Sequence, residues 1–174
     1  HSISSEDLHS ADTAEALKVI PGAAVNRNGG LTGIAQYRGL FGDRINVSID
    51  SASIVTGGPN AMDAPLSYIP AALLSSLEVN RGAASVSSGQ ETLGGHISAS
   101  SYQGEFTNSD EMQLQTRLHS DWSQHNQGSS SSLQVIGANR NHKLGFSSSY
   151  DNADDSEFAD GDIDATEFER RRHD

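Results

Sequence analysis

The loop Thr56 to Pro65, TGGPNAMDAP, holds the most distinctive ligand chemistry in the chain. Met62 supplies a thioether, a soft donor that suits Cu(I). Asp63 beside it supplies a carboxylate, and Asn60 an amide. One soft donor does not make a metal site, and a rigid loop in which Met62 packs is the plainer alternative. His119, His125 and His142 lack ligand spacing and are expected to face water. Asp160-Gly161-Asp162-Ile163-Asp164 hints at a calcium loop, yet lacks the six-residue phase and the terminal Glu of an EF-hand. The glycine pairs Gly29-Gly30 and Gly94-Gly95 lack both the strand–GxGxxG–helix context and a Walker lysine, which argues against a nucleotide site. There is no nucleophile elbow and no paired set of carboxylates. The chain is therefore not expected to be an enzyme, and no cofactor is implied.

What must position such loops is a chain of 174 residues, enough for one domain and a piece of another. Hydrophobic residues make up 34% and charged residues 20%. That is poor for a packed globule and suits either partial disorder or a piece of a larger, water-lined assembly. Cysteine is absent, which removes disulfides and thiolate metal sites. No apolar run reaches the ~18 residues of a membrane helix, but barrel strands never produce one. The chain begins at His1, so a missing or processed start is expected. Residues 151–174 carry ten acids against three arginines and hold -7 of the net charge of -12. The rest is unremarkable in charge, and no basic footprint for nucleic acid exists.

Asp12 or Thr13 is placed to cap a helix from Ala14 to Val19, with Glu15 in its first turn, Lys18 in its last, and Pro21-Gly22 ending it. Ala24 to Asn26 reads as a short strand and Asn28-Gly29-Gly30 as a loop apex. Ile34 to Gly39 and Ile45 to Asp50 alternate with period two and predict a hairpin turned at Gly42-Asp43. Pro70 opens an expected helical segment, PAALLSSLEV, before a strand from Leu77 to Asn80. Arg81-Gly82 then leads into mostly small residues, up to Gly94-Gly95, and a strand from His96 to Ser100 follows. Side chains this small suggest a backbone held close to a partner. Together these elements make a small α+β domain.

After Gly104 the pattern changes. Met112, Leu114, Thr116 and Leu118 alternate with polar residues, as do Leu133 and Val135, then Leu144, Phe146, Ser148 and Tyr150. Asn139 to His142 is a short polar turn. Each segment approaches the ~9–11 residues of a tilted membrane strand, with a Ser/Gln-rich face that suits a wet lumen. A soluble meander with one solvated face fits the same alternation. Trp122 and Tyr150 near the strand ends favour the membrane.

Three stretches in order carry a resemblance: ADTAEALKVIPGAAVNRNGG (Ala11 to Gly30), QYRGLFGDRINVSID (Gln36 to Asp50) and LEVNRGAASVSSGQETLGGHIS (Leu77 to Ser98). They resemble the plug domain of TonB-dependent outer-membrane receptors. That family's pattern has a helix ending in Pro-Gly-Val, an Arg-Gly strand, a strand ending in Asp-Gly, and an Ile-Glu-Val-x-Arg-Gly-Pro strand. A small-residue loop and a Gly-Gly-Val-Ile-Asn strand follow. Here Ala23-Ala24 alters the first element, Ser51 replaces the glycine after Asp50, Ala83 the proline, and His96 a common valine. The resemblance covers nearly all of residues 5–101.

It implies an α+β plug domain at 1–104, followed from 105 to 174 by antiparallel strands of a truncated transmembrane β-barrel. The family's barrels have about 22 strands. The resemblance also implies residence in the Gram-negative outer membrane and uptake of a scarce nutrient such as a metal chelate. Siderophore-bound iron or a related metal, including copper, would fit. TonB would be the partner, through an N-terminal box that is not seen here. About three barrel strands are expected before the chain ends, with residues 151–174 as an extracellular loop. A soluble periplasmic or secreted α+β binding module is the alternative from another class.

For individual residues, the family implies that Arg38 and Arg81 lock the plug to acids on the barrel wall, a role suited to the planar guanidinium fork. Ligand would be met at the apical loops, through Asn28, Asn60, Met62 and Asp63. The Gly57 to Pro65 loop is similar to that of copper-type receptors, where Met-Asp-Pro-Pro follows a glycine-rich turn. Those receptors place a cysteine four residues before the methionine, where this chain has Gly58.

Overall fold

A computed structural model describes residues 2–4, 10–27, 30–59, 62–80, 82, 92–124, 127–158, 161–163 and 167–174. The chain divides into two compact units, His1–Ser101 and Tyr102–Asp174.

The first unit is built on a five-stranded mixed sheet. Its strands are β1 (Ser2–Ser4), β4 (Asn46–Ile49), β5 (Ala52–Ile54), β6 (Leu74–Asn80) and β7 (His96–Ser101), in the order β1-β6-β7-β4-β5. All pairings are antiparallel except β4 with β7, which runs parallel from Asn46↔His96 to Ile49↔Ala99. Alternation sorts the side chains. Leu77, Val79, Ile97, Ala99 and Val47 enter the core, where they meet Leu17, Ile20 and Leu66. Residues of opposite parity (Glu78, Asn80, Ser98, Ser48) form a polar second face. Each fully buried Leu or Ile, such as Leu77 or Ile97, contributes about 1.5–3 kcal/mol.

A separate two-stranded sheet pairs β2 (Ala23–Arg27) with β3 (Gly33–Tyr37). This corrects the expected hairpin of Ile34 to Gly39 with Ile45 to Asp50. The chain after β3 turns at once, because Tyr37 and Leu40 exchange backbone hydrogen bonds of 2.9 Å across Arg38-Gly39. Gly42–Arg44 is then a 3-10 turn, and β4 pairs with β7 and β5 instead. Both segments have a strand's period, which says nothing about the partner.

Helical structure among the described residues is limited to 3-10 turns: Thr13–Val19, Gly42–Arg44, Pro65–Tyr68 and Ala71–Leu73. The expected helix from Pro70 is a single turn, and the strand begins at Leu74 rather than Leu77. Pairing of Leu74 and Ser76 with Ser101 and Ser100 outweighs the helix preference of Leu73, Leu74 and Leu77. Thr13–Val19 is too short to nucleate a stable α-helix and is held by its cap and by burial of Ala14, Ala16 and Leu17.

The second unit is an antiparallel sheet in the order β13-β10-β9-β8. Its strands β8 (Gln113–Ser123), β9 (Gly128–Ala138) and β10 (Lys143–Ala153) each have 11 residues, and β13 (Phe168–His173) has six. Between β10 and β13 lies a small hairpin of β11 (Ser156–Phe158) and β12 (Gly161–Ile163). Residues 151–174 are thus not simply a loop. Asp151–Ala153 completes β10, and β13 returns as a fourth strand of the sheet, pairing Asp151 with Arg170. The charge of Phe168–His173 masks its strand character, because the alternation there is between two charged faces rather than apolar and polar.

Candidate functional site

The Gly57–Asp63 loop is closed at its base. Asp63 and Gly57 form an antiparallel bridge, with Asp63 N–H donating to Gly57 O at 3.1 Å and Met62 N–H to Pro59 O at 3.3 Å. Gly58 sits at φ +73°, where a side chain would be strained. Below the loop Ala64, Pro65 and Leu66 are buried, and the 3-10 turn Pro65–Tyr68 follows. The base of the loop is therefore fixed.

Beside that bridge Met62 is 49% exposed, and Asp63 is exposed as well. Tyr68 Oη donates to Asp63 Oδ2 at 2.7 Å. This hydrogen bond and the charge of Asp63 raise the phenol above its ordinary value. The loop therefore offers a thioether, a carboxylate and a phenol together. Sequence reasoning missed Tyr68; its spacing of five from Asp63, across a proline-initiated turn, is the only signal that could have suggested it. No group of three or more His, Cys, Asp or Glu side chains able to hold a metal occurs among the described residues. Asn28 and Asn60 lie outside the described residues.

Arg38 occupies the tip of the Tyr37–Leu40 turn, with φ +51° followed by Gly39 at +76°. Its N–H donates to Gly22 O at 2.8 Å, and its guanidinium lies 5.4 Å from the centroid of the buried Tyr37 ring. Its exposed head has no carboxylate partner among the described residues, whereas Lys18 and Arg27 both pair with Glu15. Arg81, the other arginine expected to lock, lies outside the described residues. The structure thus presents Met62, Asp63 and Arg38 to solvent, on two different turns.

The second unit shows a complementary separation. One face of its sheet carries Leu114, Leu118 and Leu144, each more than 70% exposed, with Leu133, Phe146 and Trp122 in the same register. The other face is polar and largely buried: Ser130, Ser132, Gln134, Ser149 and Asp151. An apolar face left to solvent beside a buried polar face inverts the arrangement of a soluble sheet.

Compared with known proteins, residues 2–96 match the model of the TonB-dependent receptor plug domain. The chain belongs to that family. A search of curated proteins finds no match. Among solved structures, the chain is similar to the copper transporter OprC at 27% identity and a TM-score of 0.86, covering 99% of this chain and 26% of that one. It is also similar to the FrpB iron transporter from Neisseria meningitidis, F3-3 variant (20%, TM-score 0.75, covering 96% and 26%). A third likeness is to the ferric enterobactin receptor PfeA from Pseudomonas aeruginosa, in its R480A/Q482A mutant form (17%, TM-score 0.67, covering 90% and 25%). The chain spans about a quarter of the length of these structures. The expected fold class stands: a plug domain built on a mixed sheet, followed by antiparallel strands. Nothing in this family membership is enzymatic.

Proposed function

We propose that this chain is part of an outer-membrane, TonB-dependent receptor that takes up a metal chelate, with residues 1–104 as its plug and 105–174 as the start of its barrel wall. The plug match over residues 2–96 carries this reading. The apolar, exposed face of the second unit supports the membrane setting against the soluble binding module, for which six large exposed hydrophobics on one sheet face would be an aggregation hazard. Ligand would be met at the apical loops by Met62 and Asp63, and by Asn28 and Asn60, which lie outside the described residues. Arg38, exposed and unpaired by any described carboxylate, would lock the plug to an acid of the wall, as would Arg81. TonB would then couple inner-membrane energy to movement of the plug.

Between metals, two observations favour a copper substrate over ferric siderophores. The likeness to the copper transporter is stronger than those to the iron receptors in both identity and TM-score, and Met62 presents an exposed thioether on a preformed loop. Gly58 stands where copper-type receptors resemble one another in having cysteine, so the loop alone would bind Cu(I) weakly.

Deletion of the receptor, followed by growth on defined iron and copper sources, tests the substrate. Dependence on one metal source identifies it, and growth independent of every metal source removes the metal reading. Recovery of the full-length product in the soluble periplasm would remove the receptor reading as well.

A further inference from the structure

The segment from Tyr102 to Glu111 leads from the first unit to β8 and has neither helix nor strand, yet it is held to the second unit at almost every residue. Gln115, on β8, meets Glu105 as a neighbouring strand would. Its Oε1 accepts the Glu105 N–H at 3.0 Å and its Nε2 donates to Glu105 O at 2.7 Å, since a side-chain amide carries acceptor and donor together. Tyr102 Oη donates to the same Oε1 at 3.4 Å, and the Arg117 guanidinium lies 5.4 Å from the Tyr102 centroid. Lys143, at the start of β10, sits 5.1 Å from the Phe106 centroid and donates to Gly104 O at 3.4 Å.

The turn between β9 and β10 holds the remainder. Thr107 N–H donates to Asn139 O at 3.3 Å, Arg140 Nη2 to Asn108 O at 3.0 Å, Arg140 N–H to Ser109 O at 2.8 Å and Asn139 Nδ2 to Asp110 O at 3.3 Å. Gly104 allows the close approach: it stands at φ +62°, and a Cβ there would come within 2.8 Å of Ile136 Cδ1. Gln115, Arg117, Ile136 and Lys143 share one parity of the paired strands, opposite to Leu114, Leu118 and Leu144. The segment is therefore a strap across the polar face of the sheet.

A joint between units that move is ordinarily the hinge, where a few loop residues absorb the change in backbone angle. A joint bonded to one side at Glu105, Thr107, Asn108, Ser109 and Asp110 gives way only when these bonds break together. We propose that Tyr102–Glu111 is an anchor and not a hinge: it stays clipped to the polar face of β8–β10 while the plug moves, and the movement is absorbed within the first unit. Gln115 and Gly104 are the residues that set the clip, one by bonding both polar groups of a backbone residue and the other by letting the chain lie flat. The proposal rests on the receptor reading above, which supplies the TonB-driven movement.

Hydrogen exchange read by mass spectrometry on the detergent-purified full-length receptor tests the clip itself. Peptides carrying the Glu105 and Thr107 amides should exchange at least tenfold more slowly than the same sequence as a free peptide. Gln115→Ala and Gly104→Ala should each speed that exchange at least threefold. Exchange at the free-peptide rate in the unaltered receptor overturns the anchor, and unchanged protection in both variants overturns the clip as its cause. Movement is tested in cells that carry the full-length receptor with Thr107→Cys or Ile3→Cys as its single cysteine. Labelling by a maleimide that reaches the periplasm is compared with and without TonB, with copper sulfate and ferric citrate supplied in parallel. Ile3, buried on β1, should label at least fivefold faster with TonB, and Thr107 should change less than twofold. A rise at Thr107 as large as that at Ile3 overturns the anchor and leaves the receptor reading standing. No TonB-dependent rise at either position overturns the driven movement and the anchor with it.

Discussion

Asp50 grips Ser101 with both carboxylate oxygens: Oδ1 accepts the Ser101 N–H at 2.7 Å and Oδ2 the hydroxyl at 2.8 Å. Ser101 is the last residue of the first unit. Asp50 lies on the two-residue turn joining β4 to β5, and its own N–H donates to Ala99 O at 2.9 Å. A turn at one edge of the sheet therefore fixes the point at which the plug strand β7 ends.

That turn runs through φ +49° at Asp50 and +70° at Ser51, the pattern for which Asp-Gly is favoured. Ser51→Gly should therefore raise stability by about 1 kcal/mol, the left-handed penalty of a residue bearing a Cβ. Asp50→Ala should lower it by about 1–2 kcal/mol, because two hydrogen bonds to a charged but exposed acceptor are lost. Urea unfolding of the two variants checks both signs. A neutral Asp50→Ala would mean that the clamp contributes nothing.

Asp12 caps the Thr13–Val19 turn and bridges it to β3, accepting from Ala14 N–H and Gly33 N–H at 3.0 Å each. It is 1% exposed. Desolvation raises its carboxyl above the ordinary 3.8, against the lowering effect of those hydrogen bonds. An acid raised in the folded state favours folding where it is protonated, so this contribution is present below pH 3.8 and is lost as pH rises through the folded value. Glu15 acts oppositely. Burial raises it, but Lys18 and Arg27 together lower it below 4.5, so its contribution is present above 4.5 and is lost as pH falls through its folded value. Unfolding midpoints should therefore carry a declining component from pH 3.8 upward that Asp12→Asn abolishes. An unchanged slope in that variant would refute the assignment.

His96 stands 5% exposed between Asn46 and Asn80 in register. Ser48 Oγ donates to Ser98 Oγ at 3.3 Å and lies 3.0 Å from His96 Nε2, while Nδ1 has no partner among the described residues. Burial lowers the imidazole below its ordinary 6.5. The folded state thus favours neutral His96, and stability present above pH 6.5 is lost as pH falls below it. His96→Val, which restores the apolar residue common at this position in the family, should flatten the pH profile between 5 and 6.5. If His96→Val loses stability equally at pH 5 and pH 7, the histidine is packing and not titrating.

Much of this was legible from side-chain period. Leu77 to Asn80, His96 to Ser100 and the three long wall strands declare themselves because one parity is apolar and the other polar. Partner choice did not show. Ile34 to Gly39 and Ile45 to Asp50 look like neighbours in sequence, yet β4 completes a parallel pair with a strand fifty residues away. Nothing local encodes that pairing. At the site, Met62 and Asp63 stood out by chemistry, whereas Tyr68 acts through a hydrogen bond that only the folded turn creates. The acidic segment misled most, since its Arg170 serves a partner on another strand.

That partner is Asp151, fully buried, which accepts from Arg170 Nε at 3.0 Å and Nη2 at 2.9 Å on Oδ2, and from Ser130 Oγ on Oδ1. Both sit on the polar face of the second unit's sheet, in directly paired positions of β10 and β13. The fork geometry satisfies one carboxylate oxygen twice and leaves the other to the serine hydroxyl. Removing only the cation strands a desolvated charge, so Arg170→Ala should destabilise the wall by about 3–5 kcal/mol. The paired replacement Asp151→Leu with Arg170→Met removes both charges and should lose less than either single change. Heat-modifiable mobility of the full-length receptor in detergent gels reports the folded barrel fraction. A double variant as depleted in folded barrel as Arg170→Ala would show that the pair is held for its packing and not for mutual neutralisation of charge.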